Sequence, residues 1–370
     1  MLELKDVSLE VGPEPEGLRL LVEVSARFSK KHFGAILGPS GCGKSTLLKT
    51  IAGLREPTEG HVQWDGIDLA VEDMDPHEIG YVPQFGIAYD LLTVWENIEA
   101  ALRLRVAGLD REAAEMRVEK ILQDVGLDDI GDRRVALLSG GQKRRLALAL
   151  EMVSSPHLLL CDEATTGLDP KAENEIVKLM HGLSQSDERI VLSVTHSLRH
   201  LALYDSVLVL YQGHVAYHGA PDTLFHYFGV EQADELFPRL AMRSPEDWHG
   251  SWLKHRGPYY NAAGLDATAD LGEAETSEDA PSSEGSEDRL EEHFEKVPQK
   301  NRAEPETGES SGAEPDPDSP HRPEPAETPS AITQFFVLLA RRDRGKRASS
   351  GALALQLALL FGFPCLVVIF

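Results

Sequence analysis

Two stretches near the start of the chain alternate apolar and polar residues, Leu2–Val11 and Leu18–Val24. Alternation with a period of two predicts β-strands with one buried face. Later runs such as FGAIL, at 33–37, and LLLC, at 158–161, are apolar throughout, which is typical of strands buried on both faces of a parallel sheet. Stretches with helical spacing, such as KSTLLKTIAGL, lie between the strands, so the pattern predicts an α/β fold.

The end of the chain has a different pattern. Residues 331–342 carry apolar side chains at helical spacing and predict an amphipathic helix lying along the inner surface of a membrane. A basic flank, RRDRGKR, completes the segment 331–347. Residues 348–370 have no charge and would span about 34 Å as a helix. We expect a transmembrane helix there, with its basic N-terminal side cytoplasmic; the alternative is a buried core helix.

Charge separates these parts of the chain. The 370 residues carry a net charge of -25, and residues 261–330 contain 20 acidic against 5 basic side chains and many prolines and serines. Such a composition predicts a disordered acidic linker over 261–330, with an acidic binding tail as the alternative. The negative charge also argues against a nucleic-acid partner held by phosphate contacts. Three cysteines make a disulfide framework unexpected.

A glycine-rich turn follows the apolar run 33–37 and fits the pattern G-x-x-x-x-G-K-[ST]. Its glycines let backbone N–H groups form an anion-binding nest, and the helix beginning near Lys44 directs its positive end at the same place. Lys44 is expected to reach the β- and γ-phosphates of a nucleotide, and Ser45 to bind Mg²⁺. The nest comprises Gly38, Pro39, Ser40, Gly41, Cys42, Gly43, Lys44, Ser45 and Thr46.

Two carboxylates, Asp162 and Glu163, follow the apolar strand at 158–161. The C-terminal edge of a parallel sheet is where α/β proteins bind ligands. We expect Asp162 to hold Mg²⁺ and Glu163 to act as general base toward an attacking water. In isolation, the pair is equally compatible with a capped strand end.

A second candidate phosphate site lies between these two motifs. Ser139 is a helix N-cap candidate, and Gly140 and Gly141 expose backbone N–H groups at the helix start. Together with Gln142 they form the sequence LSGGQ at 138–142, which resembles the signature of the ATP-binding cassette (ABC) ATPases. With the phosphate-binding loop and the acidic strand in the matching order, the resemblance covers about residues 1–230.

The resemblance implies a P-loop NTPase cassette with a RecA-like core and a helical subdomain over about 86–155. It implies that ATP and Mg²⁺ bind, and that the signature of one cassette closes on the ATP of a second cassette. It also implies that Gln84 is a Q-loop residue that touches Mg²⁺, that Asp169 belongs to the loop linking the cassettes, and that His196 contacts the γ-phosphate.

The chain departs from the family at two positions. The family stacks adenine on an aromatic residue before the phosphate loop, but residues 11–21 contain none, which puts nucleotide selectivity in question. Ala164 stands where the family has proline after the catalytic carboxylate. This position shapes a turn and carries no chemistry.

The order of parts resembles the G-type half-transporters and bacterial relatives, in which the cassette precedes an export-type membrane domain. Residues 231–260 are expected to form a small helical appendix.

Because one helix cannot enclose a substrate path, we expect further membrane helices, either continuing this chain or on another one. The predicted function is an ATP-hydrolysing exporter subunit in the inner (cytoplasmic) membrane, with the cassette on the cytoplasmic side. One alternative is a membrane-tethered ATPase that drives a partner mechanically without transport. The other is a soluble, non-transport ABC ATPase of repair or translation, or an ATP-binding module with no turnover.

Overall fold

The computed structural model describes residues 1–12, 17–72, 74–84, 86, 88–263, 328–335 and 337–338. These fall into two compact units, which are described separately. The first contains the described residues within Met1–Met74 and Leu183–Glu324, and the second those within Asp75–Gly182 and Pro325–Phe370.

The first unit contains an antiparallel sheet near the N-terminus. Its strand order is β2-β1-β4-β5, formed by β1 (Leu2–Val11), β2 (Leu18–Phe28), β4 (Glu59–Trp64) and β5 (Ile67–Asp68). The apolar residues Leu2, Leu4, Val7 and Leu9 of β1 are buried, and the alternation changes phase where the pairing with β2 shifts register between Leu4 and Val7. The two strands predicted from alternation are therefore confirmed.

The same unit holds a second sheet segment, ordered β10-β9-β3-β8. The strands are β3 (His32–Leu37), β8 (Ile190–Val194), β9 (Ser206–Tyr211) and β10 (His214–Gly219). β3 is parallel to both β8 and β9, and all six of its residues are buried, as its uninterrupted apolar run predicts. The helices of this unit are α1 (Lys44–Ile51), α6 (Pro221–Phe228), α7 (Leu236–Leu240) and α8 (Pro245–Ala263).

Aromatic side chains pack α8 against β10. Trp248 and Trp252 are buried; the ring of Trp252 lies 5.4 Å from that of Tyr217, centroid to centroid, and Trp248 Nε1 donates to Leu240 O at 2.9 Å. The segment predicted as an appendix, 231–260, thus contains α7 and most of α8.

The second unit combines a short parallel pair of strands with helices. The strands are β6 (Ile79–Val82) and β7 (Leu158–Asp162), and the helices are α2 (Val94–Arg105), α3 (Arg111–Val125), α4 (Gly140–Glu151) and α5 (Pro170–Gln185). Helices α2, α3 and α4 share a core in which Ile98, Val118 and Leu146 are fully buried. Thr93 and Glu96 close the start of α2 as a reciprocal capping box.

The C-terminal predictions lie largely outside the described residues. Residues 331–335 and 337–338 are helical, with Ile332 and Phe335 exposed. The segments 264–327 and 339–370, which contain most of the predicted acidic linker and the whole predicted transmembrane helix, are outside the described part of the chain. Among the helices that are described, none is both long enough and apolar enough to cross a membrane.

Candidate functional site

The phosphate-binding loop of the first unit connects β3 to α1. Gly38 and Gly43 adopt φ angles of +152° and +105°, which side chains rarely allow. A Cβ at Gly38 would lie 2.2 Å from Leu210 O, and one at Gly43 2.6 Å from Leu20 O. Only glycine therefore permits this close passage of the loop beside β9 and β2, and the loop forms the predicted turn into α1.

Lys44 is the first residue of α1, and it is only 5% exposed. Its ammonium donates to Gly38 O at 3.0 Å and to Pro39 O at 2.8 Å. Among the described residues, no carboxylate forms an ion pair with it. Its third contact is the Cys42 sulfur at 3.9 Å. A buried cation among such neutral partners is matched to an anionic ligand, because burying an unpaired charge is costly.

Two further predicted residues of the first unit, Cys42 in the phosphate loop and His196 after β8, lie near this edge of the sheet. Burial raises the pKa of the Cys42 thiol, which is consistent with a packing role and against a reactive thiolate. β3 and β8 are parallel with Ile36 opposite Val194, so the loop after Leu37 and the exposed His196 leave the sheet at the same edge. The structure thus brings His196 to the edge that carries the phosphate loop.

The carboxylates of the second unit meet a polar cluster at the ends of β6 and β7. Gln84 Nε2 donates to Glu163 Oε2 at 2.9 Å, and Thr166 Oγ1 donates to the same oxygen at 3.1 Å. Tyr81 Oη donates to Asp162 Oδ2 at 3.1 Å. The structure thus unites Gln84, Asp162 and Glu163, because β6 and β7 are parallel and end at the same edge, with Val82 opposite Cys161.

The backbone at Glu163 is unusual, since its φ of +52° lies in the left-handed region. A non-glycine residue in this region is strained, and such strain is found at sites whose side chains must point in a fixed direction. Here the turn after β7 directs the carboxylate toward Gln84. Burial, together with the nearby Asp162 carboxylate, raises the pKa of the Tyr81 phenol, so this side chain stays a neutral donor.

The signature sequence forms the start of α4. Ser139 Oγ accepts the Gln142 backbone N–H at 3.3 Å, and Gln142 Oε1 accepts the Ser139 N–H at 3.0 Å. Ser139 is the N-cap, as predicted, and both Ser139 and Gly140 are exposed. The Gln142 side chain completes the capping box, a role that the sequence reasoning did not assign to it.

Asp169 likewise has a local structural role. Its Oδ1 accepts the backbone N–H groups of Lys171 at 3.0 Å and Ala172 at 3.1 Å, which caps α5 directly before Pro170. The sequence reasoning placed Asp169 in the loop that links cassettes and missed this cap. The sequence did contain a signal for this cap, because an aspartate directly followed by proline is typical of a helix start.

Sequence reasoning also missed Tyr81, Thr166 and Arg144. Tyr81 is a polar-tipped residue in an otherwise apolar strand, and Thr166 lies three residues after Glu163. Arg144, on α4, donates through Nη1 to the Gln84 carbonyl. No signal in the sequence connects Arg144 with Gln84, because they are distant along the chain.

Within the described residues, no group of three or more histidine, cysteine or acidic side chains could hold a metal ion. The donors predicted for Mg²⁺, namely Ser45, Gln84 and Asp162, are a hydroxyl, an amide and a carboxylate. Each of these side chains offers an oxygen donor, the kind that Mg²⁺ prefers, and Mg²⁺ commonly takes few protein ligands and completes its shell with water and substrate phosphates.

A glycine-dependent phosphate loop with a buried lysine, and strand-end carboxylates in a parallel α/β arrangement, define a P-loop nucleotide-binding protein. A family model described as ABC transporter matches residues 21–166. The sulfate/thiosulfate import ATP-binding protein of Pectobacterium atrosepticum is 31% identical over 229 residues, covering 61% of this chain and 68% of that protein. An ABC transporter ATP-binding/permease protein of Mycobacterium tuberculosis is 34% identical over 242 residues, which are 65% of this chain but 28% of the relative.

Two solved structures that are similar to this chain are also ABC cassettes. A dimeric ATP-binding cassette in a post-hydrolysis state, bound to ADP and Pi, is 31% identical with a TM-score of 0.54, and the match covers 60% of this chain and 99% of that one. The cassette cbiO1 of Clostridium perfringens, part of an ABC transporter complex, is 25% identical with a TM-score of 0.56, covering 67% and 97%.

The chain belongs to the ABC transporter family, and the matched region is its ATP-binding cassette. The predicted P-loop cassette fold and the predicted class of enzyme, an ATPase, are confirmed by this membership. The relatives include import ATP-binding proteins, so the comparisons support neither the export direction nor the G-type subfamily.

Proposed function

We propose that the chain is the ATP-hydrolysing subunit of a membrane transporter and works as a pair of cassettes. The observation that carries the proposal is the buried ammonium of Lys44, held at the start of α1 by two neutral carbonyls. A triphosphate supplies the negative charge that this position lacks, and the glycine nest supplies backbone donors for its oxygens.

Hydrolysis is assigned to the second unit's strand-end cluster. Glu163 is proposed to accept a proton from the attacking water, with Gln84 and Thr166 holding its Oε2 in place. Ser45, Gln84 and Asp162 are proposed to hold Mg²⁺, which neutralises phosphate charge when bound. His196 is proposed to contact the γ-phosphate.

A second cassette is the proposed partner of α4. The exposed start of this helix offers N–H groups and a positive dipole end to an incoming phosphate. Support comes from the dimeric assembly of the related cassette that was solved with ADP and Pi. We assign Ser139, Gly140 and Gly141 to contacts with the ATP of the partner cassette.

The membrane-spanning part of the transporter is proposed to begin on the same chain, after the cassette. The M. tuberculosis relative is named as an ATP-binding/permease protein, and the match covers 28% of it. The basic flank and uncharged run of this sequence have the pattern of a first membrane span, which would hold the cassette at the cytoplasmic face of the inner membrane. The amphipathic helix before it is proposed to contact lipid, and the order of parts favours export.

The test uses the full chain in membranes. ATP hydrolysis by wild type is compared with that of the Glu163→Gln variant, and membrane association is measured with and without residues 348–370. We expect Glu163-dependent hydrolysis in the membrane fraction. We also expect membrane association that resists alkaline carbonate in the full chain but not after truncation, because only the peripheral amphipathic helix then remains. Carbonate-resistant association that survives truncation would overturn the anchor, and hydrolysis without Glu163 dependence would overturn the catalytic assignment.

A further inference from the structure

Helix α4 is bonded to the segment that leads from β6 to Gln84. Near its start, Arg144 Nη1 donates to the main-chain carbonyl of Gln84. At its end, Glu151 Oε2 accepts the backbone N–H of Tyr81 at 3.3 Å and pairs with Arg105 at 2.7 Å. Residues 81–84 are thus held by α4 at two points.

The same segment carries the partners of both strand-end carboxylates. Tyr81 donates to Asp162, and Gln84 donates to Glu163 over 2.9 Å. The bond from Arg144 acts on the backbone of the residue whose side chain holds Glu163. A continuous path of two hydrogen bonds therefore runs from α4 through Gln84 to the proposed general base.

The environment and shape of the Arg144 side chain suit it to hold the Gln84 carbonyl. Its side chain is partly buried, and burial lowers the pKa of its guanidinium, while the neighbouring Glu163 opposes that change. A planar guanidinium presents several donors in fixed directions, so it can hold a carbonyl and still face a carboxylate. The next cation along the helix differs, since Lys143 is exposed and pairs with Asp90 at 3.3 Å.

We propose that Arg144 is a positioning residue, which orients Gln84 against Glu163 and so links the signature helix to the catalytic carboxylate. The inference rests on the proposed role of Glu163 in hydrolysis. Arg144 lies one helical turn after the exposed Gly140, so it joins the helix that carries the signature glycines directly to the catalytic edge of its own unit.

The experiment is a double-mutant cycle on the full chain. The rate of ATP hydrolysis at saturating MgATP is measured for Arg144→Met, Gln84→Ala and the combination, together with the ATP dissociation constant of each. Loss of the Arg144 hydrogen bond is expected to lower kcat by about tenfold with little change in ATP affinity. Gln84→Ala, which also removes a proposed Mg²⁺ donor, is expected to lower kcat at least as much. If Arg144 acts through Gln84, the double variant is no slower than Gln84→Ala.

Two further variants keep the result interpretable. Arg144→Lys retains a donor and is expected to recover part of the lost kcat, whereas Lys143→Met, an equal change of charge on the neighbouring residue, is expected to behave as wild type. Multiplying effects in the double variant, about a hundredfold together, would overturn the positioning role. A wild-type chain without Glu163-dependent hydrolysis would instead refute the proposed function, so the two failures are distinguishable.

Discussion

The side-chain amide of Gln84 donates to Oε2 of Glu163 over 2.9 Å, although 79 positions separate the two residues. This contact holds one oxygen of a carboxylate whose own backbone is in the left-handed region. Glutamine at 163 retains an oxygen that accepts from Gln84 but loses the basicity that proton transfer needs. The Glu163→Gln variant therefore tests the role of Glu163 as a base while the hydrogen bond to Gln84 is retained.

We expect Glu163→Gln to lower ATP hydrolysis by about 10²- to 10⁴-fold while ATP still binds. Single-turnover hydrolysis and equilibrium binding measure the two properties on the same preparation. Glu163→Ala serves as the comparison, because it also removes the acceptor for Gln84 and Thr166. Hydrolysis by Glu163→Gln at the wild-type rate would show that another group is the base.

Lys44→Ala should weaken MgATP binding by at least about a hundredfold, since it removes the buried cation of the phosphate nest. Lys49→Ala, on the last turn of the same helix, is the matched control and should bind as wild type does. Equilibrium dialysis with labelled ATP measures both. Equal affinities for the two variants would contradict the role given to Lys44.

A charge at the start of α4 tests the two-cassette arrangement. In a Glu163→Gln background, MgATP should hold two cassettes together, and Gly140→Asp should separate them by placing a carboxylate where phosphate must approach. Gly140→Ala is the control, because a Cβ there meets Leu168 Cδ2 only at 3.4 Å, an ordinary contact. The negative charge of an aspartate in the first helical turn interacts favourably with the helix dipole, so we expect Gly140→Asp to fold.

Light scattering on residues 1–263 with MgATP measures the assembly. We expect a dimer for Glu163→Gln alone and with Gly140→Ala, and a monomer with Gly140→Asp. Dimers in all three proteins would remove the α4 start from the proposed interface.

Asp169 permits a test of its helix cap. Asp169→Ala should lower the free energy of unfolding by about 1 kcal/mol, because Lys171 and Ala172 lose their side-chain acceptor. Asp169→Asn keeps an oxygen and should be close to wild type. Urea unfolding followed by circular dichroism distinguishes them. If the two variants are equally stable, the cap contributes little and the residue's role lies elsewhere.

Two buried histidines predict a pH dependence of stability. Burial lowers the pKa of His32 to about 4, against the opposing charge of Asp205, and burial together with His32 lowers the pKa of His218 to about 3. In the unfolded chain both titrate near 6.5, so the unfolded state binds more protons below that pH. Stability is therefore full above about pH 6.5 and falls as the pH drops toward 4, by about 1.4 kcal/mol per pH unit for each histidine.

His32→Gln keeps a polar partner for Ser206 and should reduce this slope by about half over the same range. Urea unfolding at pH 7.5, 6 and 5 gives the slopes. If the free energy of unfolding changed equally steeply with pH in wild type and His32→Gln, groups other than His32 would cause the pH dependence.

Local rules were sufficient for the elements that carry the chemistry. The turn at 38–43 follows from its glycines, the start of α1 from the lysine that follows them, and the N-cap of α4 from Ser139 directly before two glycines. Each depends on residues a few positions apart, so spacing alone reveals it.

The side-chain partnerships required the folded chain. Gln84 with Glu163, Tyr81 with Asp162 and Arg144 with the Gln84 carbonyl join residues 60 to 81 positions apart. They form because two parallel strands end together and a helix packs beside them, which no local pattern specifies. The sequence by itself determined the motifs and the family, whereas the tertiary structure decided which side chain holds which, because hydrogen bonds depend on distances of a few ångströms that only packing sets.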